Sequence, residues 1–151
     1  MHTVSGRSTV TAATARLASC GLWNPHGTKR CRVTKISYFK TVATADFVTI
    51  ARTTARGTAT TTITPGIDNA MERDTANSMG MLLDAAWSAQ PTVVAAAGDG
   101  FKWVGPAAIG AGFIYRFEPR ELIIPPGTGI AIITPVATIL QPADVTFDFL
   151  D

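Results

Sequence analysis

Residues 113–118 read Phe-Ile-Tyr-Arg-Phe-Glu, and this alternation decides the fold class of the chain. Phe113, Tyr115 and Phe117 share one parity, which places the three aromatic rings on one face of an extended strand. Segment 145–149 repeats the pattern, with valine and phenylalanine at its odd positions and Thr and Asp between them. A period of two in separate segments is typical of half-buried β-strands that pack on a core.

Turn-forming residues punctuate the rest of the chain at short intervals, and segments rich in Val, Ile, Thr and aromatic residues lie between them. The turn signals are Asn24-Pro25-His26-Gly27, Arg56-Gly57, Pro65-Gly66, Gln90-Pro91, Gly98-Asp99-Gly100, Gly105-Pro106, Pro125-Pro126-Gly127 and Gln141-Pro142. This spacing predicts an all-β chain that folds as a sandwich or a barrel of short strands.

Individual strands carry further signals. In segment 30–39 the apolar parity changes between Val33 and Ile36, which predicts a β-bulge near Thr34-Lys35. Segment 58–64 is mostly threonine, which predicts an exposed or edge strand. Segments 122–124 and 130–133 are continuously apolar, as expected of strands covered on both faces. For residues 69–89 both a helix and a loop followed by a strand fit, and the pattern slightly favours the strand.

The chain has 151 residues, the size of one ordinary domain. No linker or repeat divides it, so residues 1–151 are predicted to form a single β-sandwich domain. Residues 1–18 belong to that domain or form an ordered N-terminal arm. No run of 18 apolar residues occurs, so no transmembrane helix is expected.

Composition favours a protein that packs against other subunits. Hydrophobic residues make up 46% of the chain and charged residues only 16%, against about a quarter in typical domains. The remaining surface is largely threonine and alanine, which is weakly polar. Burial against neighbouring chains suits such a surface, although a solvated monomer rich in Thr and Ala is the alternative.

Charge is distributed unevenly along the chain. Residues 1–45 contain seven basic side chains and no acid, while residues 46–151 contain six basic and eleven acidic ones, so +7 and −5 sum to the net +2. We expect the basic segment to contact a partner, with Arg7, Arg16, Arg30 and Arg32 as its contact residues. Nucleic acid is a weaker alternative, since aromatic residues do not alternate with the basic ones as stacking platforms.

Cys20 and Cys31 flank the turn at residues 24–27 at equal distances. In a symmetric hairpin about that turn the two would face each other, so a cross-strand disulfide is geometrically feasible. Two buried free thiols are the favoured interpretation, because a single pair is not a disulfide framework. A zinc site built from these cysteines and His26 lacks the usual ligand spacing.

Motifs for catalysis are absent from the sequence. There is no Gly-x-Ser-x-Gly and no phosphate-binding Gly-x-x-x-x-Gly-Lys loop. Acidic residues near each other, Glu118 with Glu121 and the group Asp68, Glu72 and Asp74, are typical of solvated loops rather than of a glycosidase pair. We therefore predict a protein that is not an enzyme and that holds no cofactor and no metal.

Trp23, Trp87 and Trp103 have two interpretations. Exposed tryptophans mark contacts with carbohydrate or protein, whereas buried ones fill a core. Trp103 lies in an alternating segment, 101–104, so core or subunit interface is favoured over a sugar platform.

Several stretches together resemble a known class of proteins. They are Leu22-Trp23-Asn24-Pro25, Met81-Leu82-Leu83-Asp84-Ala85-Ala86-Trp87-Ser88, Pro106-Ala107-Ala108-Ile109-Gly110-Ala111-Gly112 and Leu122-Ile123-Ile124-Pro125-Pro126-Gly127-Thr128-Gly129. The pattern resembles small jelly-roll-like virion proteins of tailed bacteriophages that decorate or cement a capsid.

This resemblance implies an all-β fold, an antiparallel, jelly-roll-like β-sandwich of about eight strands. It also implies a virion structural protein that is assembled in the host cytoplasm and located on the capsid surface. Its partners would be the lattice of the major capsid protein and its own neighbours in a homotrimer, with no membrane. No catalytic residue carries over, because the family has none. The alternative is a receptor- or glycan-binding domain of a virion fibre or spike.

Overall fold

The computed structural model describes residues 1–64, 80–95 and 99–150, and within them the chain forms strands and no helix. Within these ranges twelve strands form two antiparallel sheets. They are β1 (His2–Arg7), β2 (Ala18–Asn24), β3 (Cys31–Lys40), β4 (Asp46–Ala55), β5 (Thr58–Ile63), β6 (Leu82–Ala89), β7 (Thr92–Val93), β8 (Lys102–Gly105), β9 (Gly112–Arg116), β10 (Leu122–Ile124), β11 (Thr128–Ile133) and β12 (Ala143–Leu150).

The five-stranded sheet has the order β1-β12-β3, and the far edge of β3 pairs with β10 along its first half and with β9 along its second. Alternation places Val145, Phe147 and Phe149 in the core, each at most 1% exposed. In β9, Phe113 is buried and Ile114 is exposed. The predicted period of two is confirmed in both strands.

The predicted β-bulge is confirmed at its predicted place. Asp148 of β12 pairs with Lys35, but the next residue, Phe149, pairs with Val33, so Thr34 is left without a partner in the register. This extra residue changes the parity of β3, and it allows Val33 and Ile36 to face the same core.

The seven-stranded sheet has the order β5-β6-β2-β11-β4-β7, with β8 also pairing to β4. In a flat sheet β4 and β5 would lie about 19 Å apart, four strand spacings. Only Arg56 and Gly57 separate them along the chain, and such a link reaches about 11 Å. The sheet therefore curls, which brings its two edges together. On its outer face β4 continues directly into β5, and β6 continues directly into β7.

Curling produces a second, smaller core on the outer face of this sheet. Ala18, Ala51, Ala131 and Ile133 are buried there, and Trp87 and Val93 pack over them. The indole Nε1 of Trp87 donates to the carbonyl of Arg56 at 3.0 Å, which joins the crossing strands. Continuous burial of segment 130–133 follows, because one face of β11 meets the main core and the other meets this small one.

The fold class is confirmed as an all-β antiparallel sandwich, while the described residues form twelve strands rather than about eight. The excess comes from short strands such as β7, β8 and β10, and from the division of the curled strands at Arg56-Gly57 and Gln90-Pro91. The jelly-roll character of the sandwich stays a prediction. Residues 2–7 are part of the five-stranded sheet.

The predicted hairpin between Cys20 and Cys31 is wrong. β2 lies in the seven-stranded sheet and β3 in the five-stranded one, so the turn at residues 25–30 connects the two sheets. Both cysteines are buried, and no disulfide joins them. Burial raises the pKa of Cys20 to about 12, so this thiol stays protonated at neutral pH.

Within residues 1–64, 80–95 and 99–150 there is no helix with the length and hydropathy that a bilayer crossing requires. Segment 58–64 forms the predicted exposed strand at the end of the strand order. Of the ambiguous segment 69–89, residues 82–89 are strand β6. The turn at Pro65-Gly66, the acidic group 68–74 and the first part of the ambiguous segment lie outside the described residues.

Candidate functional site

One end of the sandwich is formed by four connections, which we call the apolar pole. These are residues 8–17 between β1 and β2, 41–45 between β3 and β4, 106–111 between β8 and β9, and 134–142 between β11 and β12. The strand registers bring them together, because Arg7 pairs with Asp144 and Phe39 with Gly112 at the ends of their strands.

Hydrogen bonds join the four loops into one continuous surface. Thr11 links the first loop to the last: its amide donates to Leu140 O at 3.0 Å, and its hydroxyl accepts from Leu140 N at 2.9 Å. Thr41 donates from its amide and its hydroxyl to Pro142 O. Gly110 N donates to Lys40 O at 2.8 Å. The pole is therefore a built surface rather than four independent loops.

This surface is almost free of charge. The four loops contain 30 residues, of which about five would be charged at the chain's overall 16%, yet Arg16 is their single charged residue. Arg16 is itself neutralised by a bidentate ion pair with Asp99 at 2.8 and 2.9 Å. Depletion of charge in a surface patch is the compositional mark of the centre of a protein interface.

Large apolar side chains project from the pole into solvent. Ile109 is 71% exposed, Val10 55% and Ile139 46%, and Val42 and Val136 are exposed beside them. At the adjoining strand ends Val104 and Phe39 are exposed as well. Single apolar residues are ordinary on a surface, but several on neighbouring loops that carry one charge between them favour a contact with another protein.

A buried polar network supports the pole from below. The ammonium of Lys40, a residue only 2% exposed, donates to the carbonyls of Thr44 and Pro106 and so ties two of the loops together. Asp46 lies next to it, 3% exposed, and its Oδ2 accepts from the hydroxyl of Tyr38 at 2.9 Å. Burial raises the pKa of Asp46 above the ordinary 3.8 and that of Tyr38 above 10.

We expect the substitution Asp46→Asn to change how stability depends on pH. The pKa of Asp46 is raised by folding, so the folded state takes up a proton before the unfolded state does as the pH falls. The free energy of unfolding of the wild type, relative to that of D46N, should therefore increase as the pH is lowered from 7 to 4. The amide oxygen of D46N can still accept the hydrogen bond from Tyr38, so the comparison isolates the effect of the carboxylate charge.

Urea unfolding of both proteins across that pH range measures the effect, and comparison of the two cancels the contribution of every other titrating group. A difference in unfolding free energy that stays constant between pH 7 and pH 4 would contradict the account.

The structure pairs most of the basic residues of the first 45 with acids from later in the chain. Arg7 binds Asp144 at 2.7 Å, and Arg32 reaches Glu121 at 3.4 Å. Arg16 lies against Asp99, and Lys35 pairs with Asp148. The acids that balance the charge of this segment therefore come from distant parts of the chain. Partner binding by Arg7, Arg16, Arg30 and Arg32 stays a prediction.

These four arginines do not form one patch. Arg16 belongs to the apolar pole, and Arg7 lies where β1 ends beside it. Arg30 and Arg32 lie toward the opposite end, near the turn that joins β2 to β3. Within the described part of the chain, Arg30 is exposed and has no ion pair.

The three tryptophans are half-buried. Trp103 packs against Tyr38 and Phe113 at centroid distances of 6.0 and 5.5 Å, which confirms the core interpretation for this residue. Trp87 covers the small outer core. A glycan-binding role stays a prediction.

Among the residues that the structure describes, no three His, Cys, Asp or Glu side chains gather as metal ligands. Glu118 and Glu121 were considered above as a carboxylate pair. In the structure Glu121 forms an ion pair with Arg32. His26 accepts from the backbone amides of Thr28 and Lys29 through Nδ1, so it orders its own turn.

Sequence reasoning missed the apolar pole. A signal for it was present, since residues 8–15, 41–45, 106–111 and 134–142 all lack charge. Their assembly at one end depends on strand order, which the loops themselves do not encode.

Comparison with protein-family models, with curated proteins and with solved structures finds no match to this chain.

Proposed function

We propose that this chain is a virion structural protein that decorates or cements a capsid, binding the lattice of a major capsid protein and its own neighbours through the apolar pole. The observation that carries the proposal is the pole itself, four loops that contain 30 residues and one charge and that are held together by hydrogen bonds. Supporting it, the sequence resembles jelly-roll-like decoration proteins of tailed bacteriophages.

The mechanism is mechanical rather than chemical. The exposed side chains Val10, Val42, Ile109, Val136 and Ile139 lose water when a partner covers them, at about 25 cal/mol for each Å² buried. Each loop is fastened to its neighbours before binding, so little conformational entropy is lost on contact. Many copies on one lattice then add avidity, and the assembled layer outlasts any single contact.

Homotrimer formation and capsid binding use surfaces of standard size, about 1,600 Å² in total for one interface. The four loops of the pole carry one charge between them, and we assign the pole to one of these contacts. Threonine hydroxyls interspersed with the apolar groups keep the free protein soluble until its partner is present.

The double substitution Ile109→Glu with Ile139→Glu is the direct test of this role. Two carboxylates at the centre of a buried contact cost several kcal/mol without partners, which corresponds to a loss of binding of roughly a hundredfold or more. Sedimentation equilibrium should give an oligomer for the wild type and a monomer for the double variant. Immunogold labelling of intact particles should fall in parallel.

Thr28→Glu adds a carboxylate to an exposed loop at the opposite end, and it should alter neither oligomer nor occupancy. The proposal fails if the wild type is a monomer at every concentration and is absent from particles. It also fails if the double variant assembles and labels as well as T28E does. Retained binding to glycans by a monomer would instead favour the fibre or spike alternative.

A further inference from the structure

The two long sides of the sandwich differ in how they are closed. On one side β1 packs on β5 and β6: the side chain of Ile63 reaches so close to Gly6 that a Cβ there would lie 2.5 Å from it. On the other side β9 and β10 of one sheet face β4 and β8 of the other, and the inward residues Phe101, Phe117 and Leu122 remain partly exposed.

A cleft of about 220 Å³ opens between the sheets on this second side. Ile50 and Ile130 form its floor, and Phe101, Phe117 and Leu122 form its walls. Protein interiors seldom leave voids larger than a water molecule. An apolar space of 150 Å³ is already large enough to hold a benzene ring, so this cleft has room for one ring and a short chain.

Its walls are held in place by aromatic contacts. Phe101 packs on Tyr115 at a centroid distance of 4.4 Å, and Tyr115 packs on Phe117 at 4.8 Å. On the floor, Ile50 N donates to Phe101 O at 3.0 Å and Gly100 N donates to Ile50 O at 2.8 Å. A ligand would therefore enter a preformed space rather than create one.

A cation lies at the mouth of the cleft. Arg52 has the same parity as Ile50, so its side chain starts on the inner face of β4 and extends along the cleft to solvent. Its Nη1 donates to Ile123 O of the opposite sheet at 2.7 Å, which fixes the guanidinium. Across the described ranges no carboxylate forms an ion pair with Arg52, so its other donors are available to an anion.

We propose that this cleft binds a compact apolar carboxylate, a single aromatic ring or short aliphatic chain whose carboxylate lies on Arg52. The apolar floor and walls enclose the body of the ligand, and the guanidinium offers the planar donors that a carboxylate accepts. This site is separate from the apolar pole, and it does not depend on the protein being a capsid component.

The probe is 3-phenylpropanoate, with 3-phenylpropan-1-ol as its neutral counterpart, titrated into the full chain and followed by saturation-transfer NMR. A ligand of this size should bind with a Kd on the order of 1 mM. The acid should bind about fivefold more tightly than the alcohol, since an exposed guanidinium adds a modest charge-assisted bond.

Arg52→Gln should remove this fivefold preference and leave binding of the alcohol unchanged. Arg30→Gln changes an exposed arginine that does not line the cleft and has no ion pair in the described part of the chain, and it should leave both unchanged. Leu122→Trp fills the space and should weaken both ligands at least tenfold.

No saturation transfer at 10 mM of either probe would overturn the proposal. Equal affinities for acid and alcohol in the wild type, or an R52Q protein that keeps the preference, would overturn the role of Arg52. Unchanged binding to folded L122W would place the ligand elsewhere and overturn the site. None of these results bears on oligomer formation or particle labelling, so the two proposals fail separately.

Discussion

Gly57→Ala should lower the free energy of unfolding by about 3 to 4 kcal/mol and the Tm by about 10 °C. Gly57 has a φ of +74°, and a Cβ on it would lie 2.3 Å from Ala89 O and 2.7 Å from the backbone carbon of Gln90. These neighbours are main-chain atoms that cannot rotate away. The position lies where the curled strands cross, so the displacement would open the small outer core.

Gly127→Ala is the matched control. Gly127 has a φ of +63° and nothing within 4 Å of the added Cβ, so it isolates the cost of the left-handed backbone, about 1 to 2 kcal/mol. Urea unfolding of both variants measures the difference, which we attribute to close packing at the crossing. If G57A and G127A cost the same, the link at Gly57 does not lie as close to the end of β6 as the structure places it.

Arg56→Met should lower the free energy of unfolding by about 3 kcal/mol, because it leaves a buried carboxylate without its cation. The Asp84 side chain is 2% exposed and receives two hydrogen bonds of 2.7 Å from Arg56, from Nε and from Nη2. A third comes from the Thr62 hydroxyl at 2.7 Å. The pocket that this pair lines has a volume of about 10 Å³, room for one water molecule, so little solvent is in place to replace the guanidinium.

Arg7→Met removes an ion pair of the same length, 2.7 Å, whose side chains are 64% and 56% exposed, and it should leave the Tm within error of the wild type. Adding Asp84→Asn to R56M should recover most of the lost stability, since a neutral amide tolerates burial better. The Tm values of R56M, R7M and the double variant R56M/D84N, measured by thermal unfolding, test these expectations. An R56M protein as stable as R7M would mean that Asp84 is hydrated in solution.

Local patterns predicted the strands well because side-chain parity is a property of neighbouring residues. The alternation in 113–118 and 145–149 placed the correct side chains in the core, and the parity change before Ile36 located the bulge at Thr34. Both features depend on a few consecutive residues and on which of them avoid water. No knowledge of distant partners was needed.

The hairpin between β2 and β3 was predicted wrongly because turn residues specify a change of direction, not a pairing. Asn24 donates through its side-chain amide to Lys29 O and Ile124 O, which shapes an arch from one sheet to the other. Strands β11 and β6 take both edges of β2, and β12 and β10 take those of β3. Which strands pair with β2 and β3 is therefore set by competition among all the strands of the chain, not by the turn between them.

Charge pairing was missed for a related reason. Arg7 and Asp144 are 137 residues apart, and Arg16 and Asp99 are 83 apart, so each pair forms only because the strands that hold them become neighbours. The count of charges along the chain therefore overestimated the positive electrostatic potential of the first 45 residues, because distant acids neutralise several of them. The apolar pole was missed in the same way, since it is assembled from four distant loops.

By itself the amino-acid sequence determined the all-β class, the inward faces of its strands and the position of one bulge. Those follow from alternation and from turn chemistry, which act over a few residues. The tertiary structure alone decided that one sheet curls over itself, that basic and acidic residues neutralise each other, and that uncharged loops and an open cleft occupy separate surfaces. Long-range strand pairing sets all three, because it minimises exposed apolar area and unpaired backbone over the whole chain at once.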